Sequence, residues 1–581
     1  MNILGIHDGH TATACLLCDG RVVGMISEER LNRVKNQGGM PVRSIEWLLE
    51  TAGLSLDSID LAAFAGFVQP ITDTGFYDGG RHRFFSQLAS FLPSGLMSCG
   101  FLRKACVSAA RKKRERFLRK RTHQLPGTGK TPDVLLVEHH TAHAYAAYFA
   151  SGFHLLPEES LVITADGSGD GACCGISRAF GSRIELLGTV PSYHSPGMLY
   201  SRVTQFLGMK PLEHEYKVMG LAPYVSEKAK KAAYGILKGY YSLSEDGLSF
   251  VNRSHSWGNS TLKKLQKDLF LVRFDSIASA LQQLFEELYR RFILNWVCKT
   301  GIRRVVLGGG VFMNVKLNGI LANEQDIEHL YILPSCSDES TALGAACWAH
   351  MRHNARTYAE TTIQPLDHLY FGNRVTEDEA LEALAQYREW ICFRRVEDIE
   401  KETARLLAEG NIVARVQGRM EWGARALGNR SILAPPQDLK TVRRINAAIK
   451  MRDFWMPFAP SILWERKDDY LVDKGKADTS HMMVACETTA QARREMIAAL
   501  HPSDLTCRPQ VVRREANPRY HGLLKYFESL TGIGGILNTS FNLHGEPIVM
   551  TAEDALHTLV RSDLDYLTIE DYLVWRSSRT M

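Results

Sequence analysis

No charge of either sign dominates this chain. It carries 69 basic and 64 acidic residues among 581, a formal charge of +5. That balance excludes a polyelectrolyte surface and argues against a general polyanionic partner. Paired cysteines are missing too. The twelve are scattered, and although Cys15 and Cys18 form a C-x-x-C, no second pair completes a zinc cluster. Cys173 and Cys174 are simply adjacent. Reduced thiols in a cytoplasmic protein are therefore expected. No apolar run reaches membrane-spanning length. The opening M-N-I-L-G-I-H-D-G-H has neither a basic leader nor a long apolar segment, so neither a signal peptide nor a membrane span is expected. An intact phosphate-binding P-loop is also absent. P-G-T-G-K-T (Pro126–Thr131) has Gln124 where the first glycine belongs, and no apolar strand precedes it.

What remains is ordinary globular composition, 45% hydrophobic and 23% charged, in a chain too long for one core. The stretch R-R-V-V-L-G-G-G-V-F-M-N-V-K-L-N (Arg303–Asn318) organises the first half. An apolar strand runs through three glycines towards a helix. Such a turn lets backbone N–H groups approach an oxyanion, with the helix dipole adding to the attraction. Gly309, Gly310 and Asn314 are candidate nucleotide contacts there.

Three short strands open the chain, at Ile3–Ile6, Thr13–Leu17 and Val22–Ser27, with Asp19-Gly20 as a hairpin turn. A strand, a polar turn and a returning strand also open the nucleotide-binding fold of actin, sugar kinases and Hsp70, where the first turn faces the phosphates. Here that turn holds His7 and His10. Glu28 to Lys35 reads as a surface segment. Arg103–Arg121 has ten basic residues against Glu115 alone and reads as a solvated helical face.

The strand Val134–Val137 leads into an Ala-rich helix carrying His139, His140 and His143. His139 and His143, at i and i+4, share one face and can converge on a cation. The strand Ser160–Ala165 ends in D-G-S-G-D-G, placing Asp166 at a strand end and Gly167, Ser168 and Gly169 in a second candidate phosphate loop. Lys217 and Gly220, in E-H-E-Y-K-V-M-G-L-A-P-Y, are further candidate nucleotide contacts, and helix punctuation explains them equally well. Ile277–Cys298 is a core helix by its pattern. Asp338 again follows a strand, in P-S-C-S-D-E-S-T-A-L-G-A-A. Two histidines and two strand-end carboxylates suit iron, manganese or zinc.

The motifs H-D-G-H-T-A-T, E-H-H-T-A-H-A, A-D-G-S-G-D-G, G-G-G-V-F-M-N-V-K-L-N and P-S-C-S-D-E-S-T-A-L-G-A, in this order, resemble the O-carbamoyltransferases of the nodulation and cephem-antibiotic type. Their N-terminal domain is similar to the transferase that makes threonylcarbamoyladenosine in tRNA. The resemblance implies an α/β chain with a duplicated actin-like N-terminal domain, residues 1–360, and a YrdC-like α/β domain, residues 361–581. It assigns His139, His143, Asp166 and Asp338 as ligands of Fe(2+) or another divalent transition metal, and His10 as the catalytic base. Thr11 departs from the aspartate of many members.

The second half carries Q-G-R-M-E-W-G-A-R-A-L-G-N-R-S-I-L, K-M-R-D-F-W-M-P-F-A-P-S, T-C-R-P-Q and G-I-L-N-T-S-F-N-L-H-G-E-P-I-V. Guanidinium forks, an ammonium and small polar side chains beside strand sequence are the chemistry of a phosphate clamp. By the resemblance Arg425, Lys450, Arg508, Asn538, Ser540 and Asn542 bind carbamoyl phosphate and ATP with Mg(2+). The family's arginine before Pro457 is Met456 here, and Arg452 is expected to substitute. The implied activity is ATP-dependent carbamoylation of a hydroxyl on a small-molecule, secondary-metabolite acceptor through a carbamoyladenylate. The alternative is a threonylcarbamoyl-type tRNA modification. A nucleic-acid partner is not expected, and a homodimer is left open.

Overall fold

The computed structural model describes residues 1–68, 100–121, 132–357 and 362–577; the P-loop-like linker Pro126–Thr131 lies outside them. The chain forms two compact units. One comprises Met1–Glu28 with Asn36–Leu366, the other Glu29–Lys35 with Asp367–Met581.

The first unit contains the same five-stranded topology twice. Strands β1 (Asn2–His7), β2 (Thr13–Cys18), β3 (Arg21–Ser27), β4 (Leu61–Ala65) and β5 (Asp133–Val137) form a sheet in the order β3-β2-β1-β4-β5. The hairpin strands β1 to β3 pair antiparallel, and β1, β4 and β5 run parallel. Strands β6 (Ser160–Gly169), β7 (Ala172–Phe180), β8 (Arg183–Pro191), β11 (Arg304–Gly308) and β12 (His329–Ile332) repeat the pattern as β8-β7-β6-β11-β12. A two-stranded ribbon, β9 (Tyr241–Leu243) with β10 (Phe250–Asn252), adds to the described strands of this unit. The duplicated sheet makes the unit actin-like. At the first hairpin Asp19 and Gly20 both have positive φ, 46° and 78°, the conformation a tight two-residue turn requires.

The helix after each fifth strand packs on the other sheet. His139–Ala150, following β5, covers β6, β7 and β11, while Thr341–Thr357, following β12, covers β1, β2 and β4. The two helices also meet, with Gly344 so close that a Cβ there would stand 1.7 Å from the Ala142 carbonyl oxygen. Small residues at that crossing bring the start of each helix to the strand ends. There His139, Asp166 and Asp338 emerge. The expected core helix is present as Phe274–Thr300, its buried face carrying Ile277, Leu281, Phe285, Leu288 and Phe292.

Helix Gly100–Arg121 departs from the solvated reading along one face, where Leu118 is buried and Arg103 donates to the Gly171 carbonyl, and most of all at Arg114. Arg114 is only 2% exposed. Its guanidinium donates to Asp8 Oδ1 at 2.5 Å and to the carbonyls of Gly66 and Val68 at 2.7 and 2.9 Å. Charge counting along the sequence cannot single out the one arginine whose partner lies a hundred residues away.

In the second unit an eight-stranded mixed sheet runs β13-β22-β21-β14-β15-β20-β16-β19. Its strands are β13 (Ile391–Arg395), β14 (Val413–Val416), β15 (Arg430–Ala434), β16 (Ala459–Leu463), β19 (Gln510–Val512), β20 (Gly535–Ser540), β21 (Tyr566–Ile569) and β22 (Tyr572–Arg576). A short ribbon, β17 (Leu471–Val472) with β18 (Glu487–Thr488), is separate. Val416, Ile432, Leu537 and Leu567 from the central strands meet Ala555, Leu556 and Leu559 from the helix Ala552–Val560 in one core. Removing a side chain of this kind from such a core costs about 2–5 kcal/mol.

Glu28 to Lys35 is not a surface segment. Glu28 is buried and accepts from the Arg43 and Ser44 amides, fastening the helix Val42–Ala52. Arg30 and Arg33 belong to the second unit, donating to the carbonyls of Gly423, Pro547 and Ile548.

Candidate metal centre and anion site

The four residues singled out as metal ligands meet at one point. One donor atom from each of His139, His143, Asp166 and Asp338 lies within 4.8 Å of the others. His143 Nε2 is 3.3 Å from Asp166 Oδ2 and 3.6 Å from Asp338 Oδ1, and His139 Nε2 is 3.6 and 3.7 Å from the same two atoms. These are ion-pair separations, and among the described residues neither Nε2 nor Asp338 Oδ1 has a hydrogen-bond partner although all three atoms are buried. Donors each about 2.1 Å from one ion stand roughly 3.4 Å apart in a tetrahedron. The set therefore fits a divalent transition metal in spacing and in its mixed nitrogen and oxygen chemistry.

The supporting contacts point the same way. Ser340 Oγ donates to the Ser337 carbonyl at 2.8 Å, so its contact with His143 Nδ1 at 3.3 Å requires Nδ1–H to donate. Nε2 is then the nitrogen that would give up its proton and turn its lone pair to a metal. Asp166 accepts from the Gly167 and Gly310 amides at 2.6 and 3.3 Å. Asp170, passed over in the sequence, accepts from the amides of Phe67, Val68 and His139 at 2.8 to 2.9 Å. It anchors the first turn of the helix that carries both histidines, where a carboxylate also suits the helix dipole. Gly169 is required beneath His139, since a Cβ there would lie 2.0 Å from the imidazole ring. Burial alone would lower His139, but Asp166 and Asp338 raise it to about 10; His143 also rises, and the two histidines hold Asp166 well below the usual carboxylate range.

The first turn separates its two histidines clearly. His7 is buried, with Nε2–H donating to the His10 carbonyl at 2.9 Å and Nδ1 3.0 Å from Thr341 Oγ1. His10 is partly exposed, and its ring makes no hydrogen bond to any described residue. His7 is thus a brace, and His10 is the one of the two whose ring is left open among the described residues. Thr11 holds φ at +59°, an uncommon conformation for a β-branched residue and one that stores strain at functional turns. Its hydroxyl donates to the His10 carbonyl and lies 3.5 Å from Glu339 Oε2. Glu339, also passed over, is buried and accepts from Ser335 Oγ; burial pushes it up to about 7.

The glycine loops differ from a row of open amides. Gly309 N–H donates to the Cys336 carbonyl at 2.9 Å and Gly310 N–H to Asp166. Gly309, at φ +97°, would place a Cβ 2.2 Å from the Ala165 carbonyl oxygen. The turn therefore joins β11 to β6 and positions Asp166. Asn314 caps the helix Val315–Ala322 through the Leu317 amide and exchanges two hydrogen bonds with Gln282, both of 3.0 Å. Its side chain has a structural role that a strand–turn–helix pattern does not reveal. Ser168 is exposed and pairs with Ser192 at 2.7 Å. Lys217, half-buried, and buried Gly220 lie on Glu215–Leu221, a helix distinct from both loops.

In the second unit Lys450 is 3% exposed. Its ammonium donates to Ser540 Oγ at 3.1 Å and Asn542 Oδ1 at 2.6 Å, joining three of the residues expected to bind carbamoyl phosphate. Burial, then the charges of Arg452 and Lys35, push Lys450 well below the ordinary lysine value. Burial, then Arg425 and Arg452, likewise lower Arg508. Arg452 donates to Thr539 Oγ1 at 3.0 Å and lies over the Phe458 ring, within electrostatic reach of both. Buried cations depressed by neighbouring cations mark a place prepared for an anion. Lys35 was not anticipated, because nothing in the sequence ties its segment to this unit.

Asn538, expected in the clamp, and two arginines of the Q-G-R-M-E-W-G-A-R-A-L-G-N-R motif are bonded elsewhere. Asn538 is buried and donates to Ala426 O, Ser461 Oγ and Gln510 Oε1. Arg430 spreads its guanidinium over the carbonyls of Asn373, Gln417, Gly418, Asn429 and Met550, and Arg419 donates to Phe371 and Gly372. Those two arginines are cross-links. Glu421 shapes the loop between them, accepting from the amides of Leu427, Asn429 and Arg430 at 2.6 to 3.2 Å.

Residues 2–347 match the family described as carbamoyltransferase N-terminus, and residues 404–576 match carbamoyltransferase C-terminus. An uncharacterised protein of Synechocystis is 32% identical, with 100% of this chain and 97% of the relative covered. Nodulation protein NolNO of Sinorhizobium fredii is 31% identical over 98% of this chain and 79% of its own length. Nodulation protein NolO of Bradyrhizobium diazoefficiens is 32% identical, with 75% and 78% covered. With both of its halves matched in order, the chain belongs to the carbamoyltransferase family and is a carbamoyltransferase.

Proposed function

We infer that this enzyme is an O-carbamoyltransferase that activates the carbamoyl group with ATP before transfer. The observation that carries the reading is the presence of two different prepared sites, one in each unit. A cluster of cations, Lys450 and Arg508 with lowered proton affinity beside Arg425 and Arg452, suits phosphates. A convergent His₂Asp₂ set suits a Lewis acid. A direct transfer from carbamoyl phosphate would need one of them only.

In the second unit, read as YrdC-like, water cleaves carbamoyl phosphate to carbamate and inorganic phosphate. A carbamate oxygen then attacks the α-phosphorus of ATP, expelling pyrophosphate and giving carbamoyladenylate. Lys450 and the three arginines neutralise charge as it moves onto the phosphoryl oxygens, with Mg(2+) accompanying the nucleotide. Ser540 and Asn542 hold the Lys450 ammonium in place.

In the first unit His139, His143, Asp166 and Asp338 would hold a divalent transition metal such as Fe(2+), which supplies Lewis-acid polarisation of the carbamoyl carbonyl. His10 removes the proton from the acceptor hydroxyl as its oxygen attacks the carbamoyl carbon, and AMP leaves. His7 and Thr11, both bonded to the His10 carbonyl, fix the backbone from which the base projects. The amides of Gly167 and Gly310 orient Asp166 in that ligand set.

Incubation with ATP, carbamoyl phosphate and a panel of hydroxylated small molecules tests the reading, scored as an acceptor mass gain of one carbamoyl group that needs ATP. Transfer that proceeds equally without ATP would overturn it.

A further inference from the structure

The His10 carbonyl accepts two hydrogen bonds, and both donors reach one short segment around Asp338. His7 donates through Nε2–H at 2.9 Å, and its Nδ1 lies 3.0 Å from Thr341 Oγ1. Thr11 donates through its hydroxyl, and the same oxygen lies 3.5 Å from Glu339 Oε2. Thr341 Oγ1 in turn stands 2.7 Å from the Asp338 carbonyl oxygen. The peptide from which His10 projects is thus tied on both sides to the turn that carries a metal ligand.

The tie through Glu339 meets strained backbone at both of its ends. Thr11 and Ser335 are non-glycine residues held in the left-handed region, at φ +59° and +55°. Such backbone persists only where its surroundings over-determine it. One carboxylate faces the side chains of both. Glu339 Oε1 accepts from Ser335 Oγ, while Oε2 faces Thr11. Glu339 is 6% exposed and Ser335 3%, which leaves solvent little access to replace the carboxylate. Glu339 is outside the four-residue ligand set, and its two oxygens are directed to the two turns.

We propose that Glu339 is a positioning residue for carbamoyl transfer: by holding the Thr11 and Ser335 turns together it fixes His10 relative to Asp338. The assignment deepens the O-carbamoyl transfer inferred above and rests on it for the part of His10 as base; the coupling of the two turns does not. A reacting group displaced by about 1 Å costs roughly a hundredfold in rate, so the tie is read in kcat rather than in the acceptor KM.

The test uses the full metal-loaded chain and the variants Glu339→Ala, Glu339→Gln and Thr11→Val. The glutamine keeps both contacts, its oxygen accepting from Ser335 and its amide donating to Thr11 Oγ1. Hydrogen exchange read by mass spectrometry follows the peptides covering residues 7–13 and 335–341. Expected is faster exchange in both peptides of Glu339→Ala and wild-type exchange in Glu339→Gln. Transfer kcat falls roughly ten- to a hundredfold in the alanine variant and is largely restored in the glutamine variant. Acceptor KM, metal content and carbamoyl-phosphate-dependent ATP–pyrophosphate exchange stay within about twofold of wild type. Thr11→Val slows transfer similarly, and adding Glu339→Ala to it costs little further.

Loosening confined to residues 335–341, wild-type transfer by Glu339→Ala, or metal loss in proportion to the loss of transfer overturns the proposal. If Glu339→Ala is not recovered folded, Thr11→Val decides, and wild-type transfer by that variant overturns it equally. Pyrophosphate exchange absent from the wild type, with both peptides still loosened together by Glu339→Ala, leaves the coupling standing and removes the ATP-dependent reading instead.

Discussion

His143 Nε2, buried and without a hydrogen-bond partner among the described residues, faces half-buried Asp166 Oδ2 at 3.3 Å. The second pair, His139 and Asp338, repeats the arrangement around the same point. A cation satisfies all four. Elemental analysis of purified protein should find about one transition-metal ion per chain. Asp338→Ala and His143→Ala should each lower the content at least roughly tenfold. Full occupancy in either variant would remove that residue from the ligand set.

Metal uptake should release protons. In the metal-free protein the two carboxylates hold His139 near 10 and raise His143, so both tend to be charged at neutral pH. A metal displaces those protons. Affinity should therefore rise with pH through the neutral range and level off near 10. Calorimetry in buffers of different ionisation enthalpy reads the proton count; pH-independent affinity would contradict the arrangement.

Anion binding in the second unit should have the opposite sign. Burial and neighbouring cations lower Lys450. A bound phosphate raises it again, so binding takes up a proton and strengthens as pH falls towards the depressed value. Lys450→Met should weaken inorganic phosphate binding by about one to two orders of magnitude, and should leave metal content unchanged.

The Asp8–Arg114 pair is a stability device at the base of the His10 turn, with Asp8 1% and Arg114 2% exposed. Asp8→Ala strands a buried guanidinium and should cost about 3–5 kcal/mol. Urea unfolding of the full chain should show the first unit melting earlier. Asp8→Leu combined with Arg114→Met should recover most of the loss, whereas a loss equal to the sum of the single variants would deny the coupling.

How much could be read before the fold was known depended on the range of each interaction. The hairpin at Asp19-Gly20 and the i, i+4 pair His139 and His143 are local, and both stand where the pattern placed them. Asp166 and Asp338 were legible because each ends an apolar strand, and duplicated strand ends converge. Roles set across long separations were not legible. Arg425 belongs to a cation cluster while Arg430, five residues on, is spent on carbonyls more than a hundred residues apart in sequence. The helix-capping role of Asn314 was hidden too, because it depends on Gln282, thirty-two residues away. Lys35 and Asp170 acquire meaning only from segments that sequence spacing cannot bring together.

The central claim is that adenylate formation and transfer are separate chemical steps, only the second of which needs His10. Exchange of labelled pyrophosphate into ATP, dependent on carbamoyl phosphate, measures the first step alone. The wild type and His10→Asn should exchange at equal rates while only the wild type carbamoylates an acceptor. Exchange abolished by His10→Asn, or carbamoylated product formed by that variant at the wild-type rate, would contradict the account.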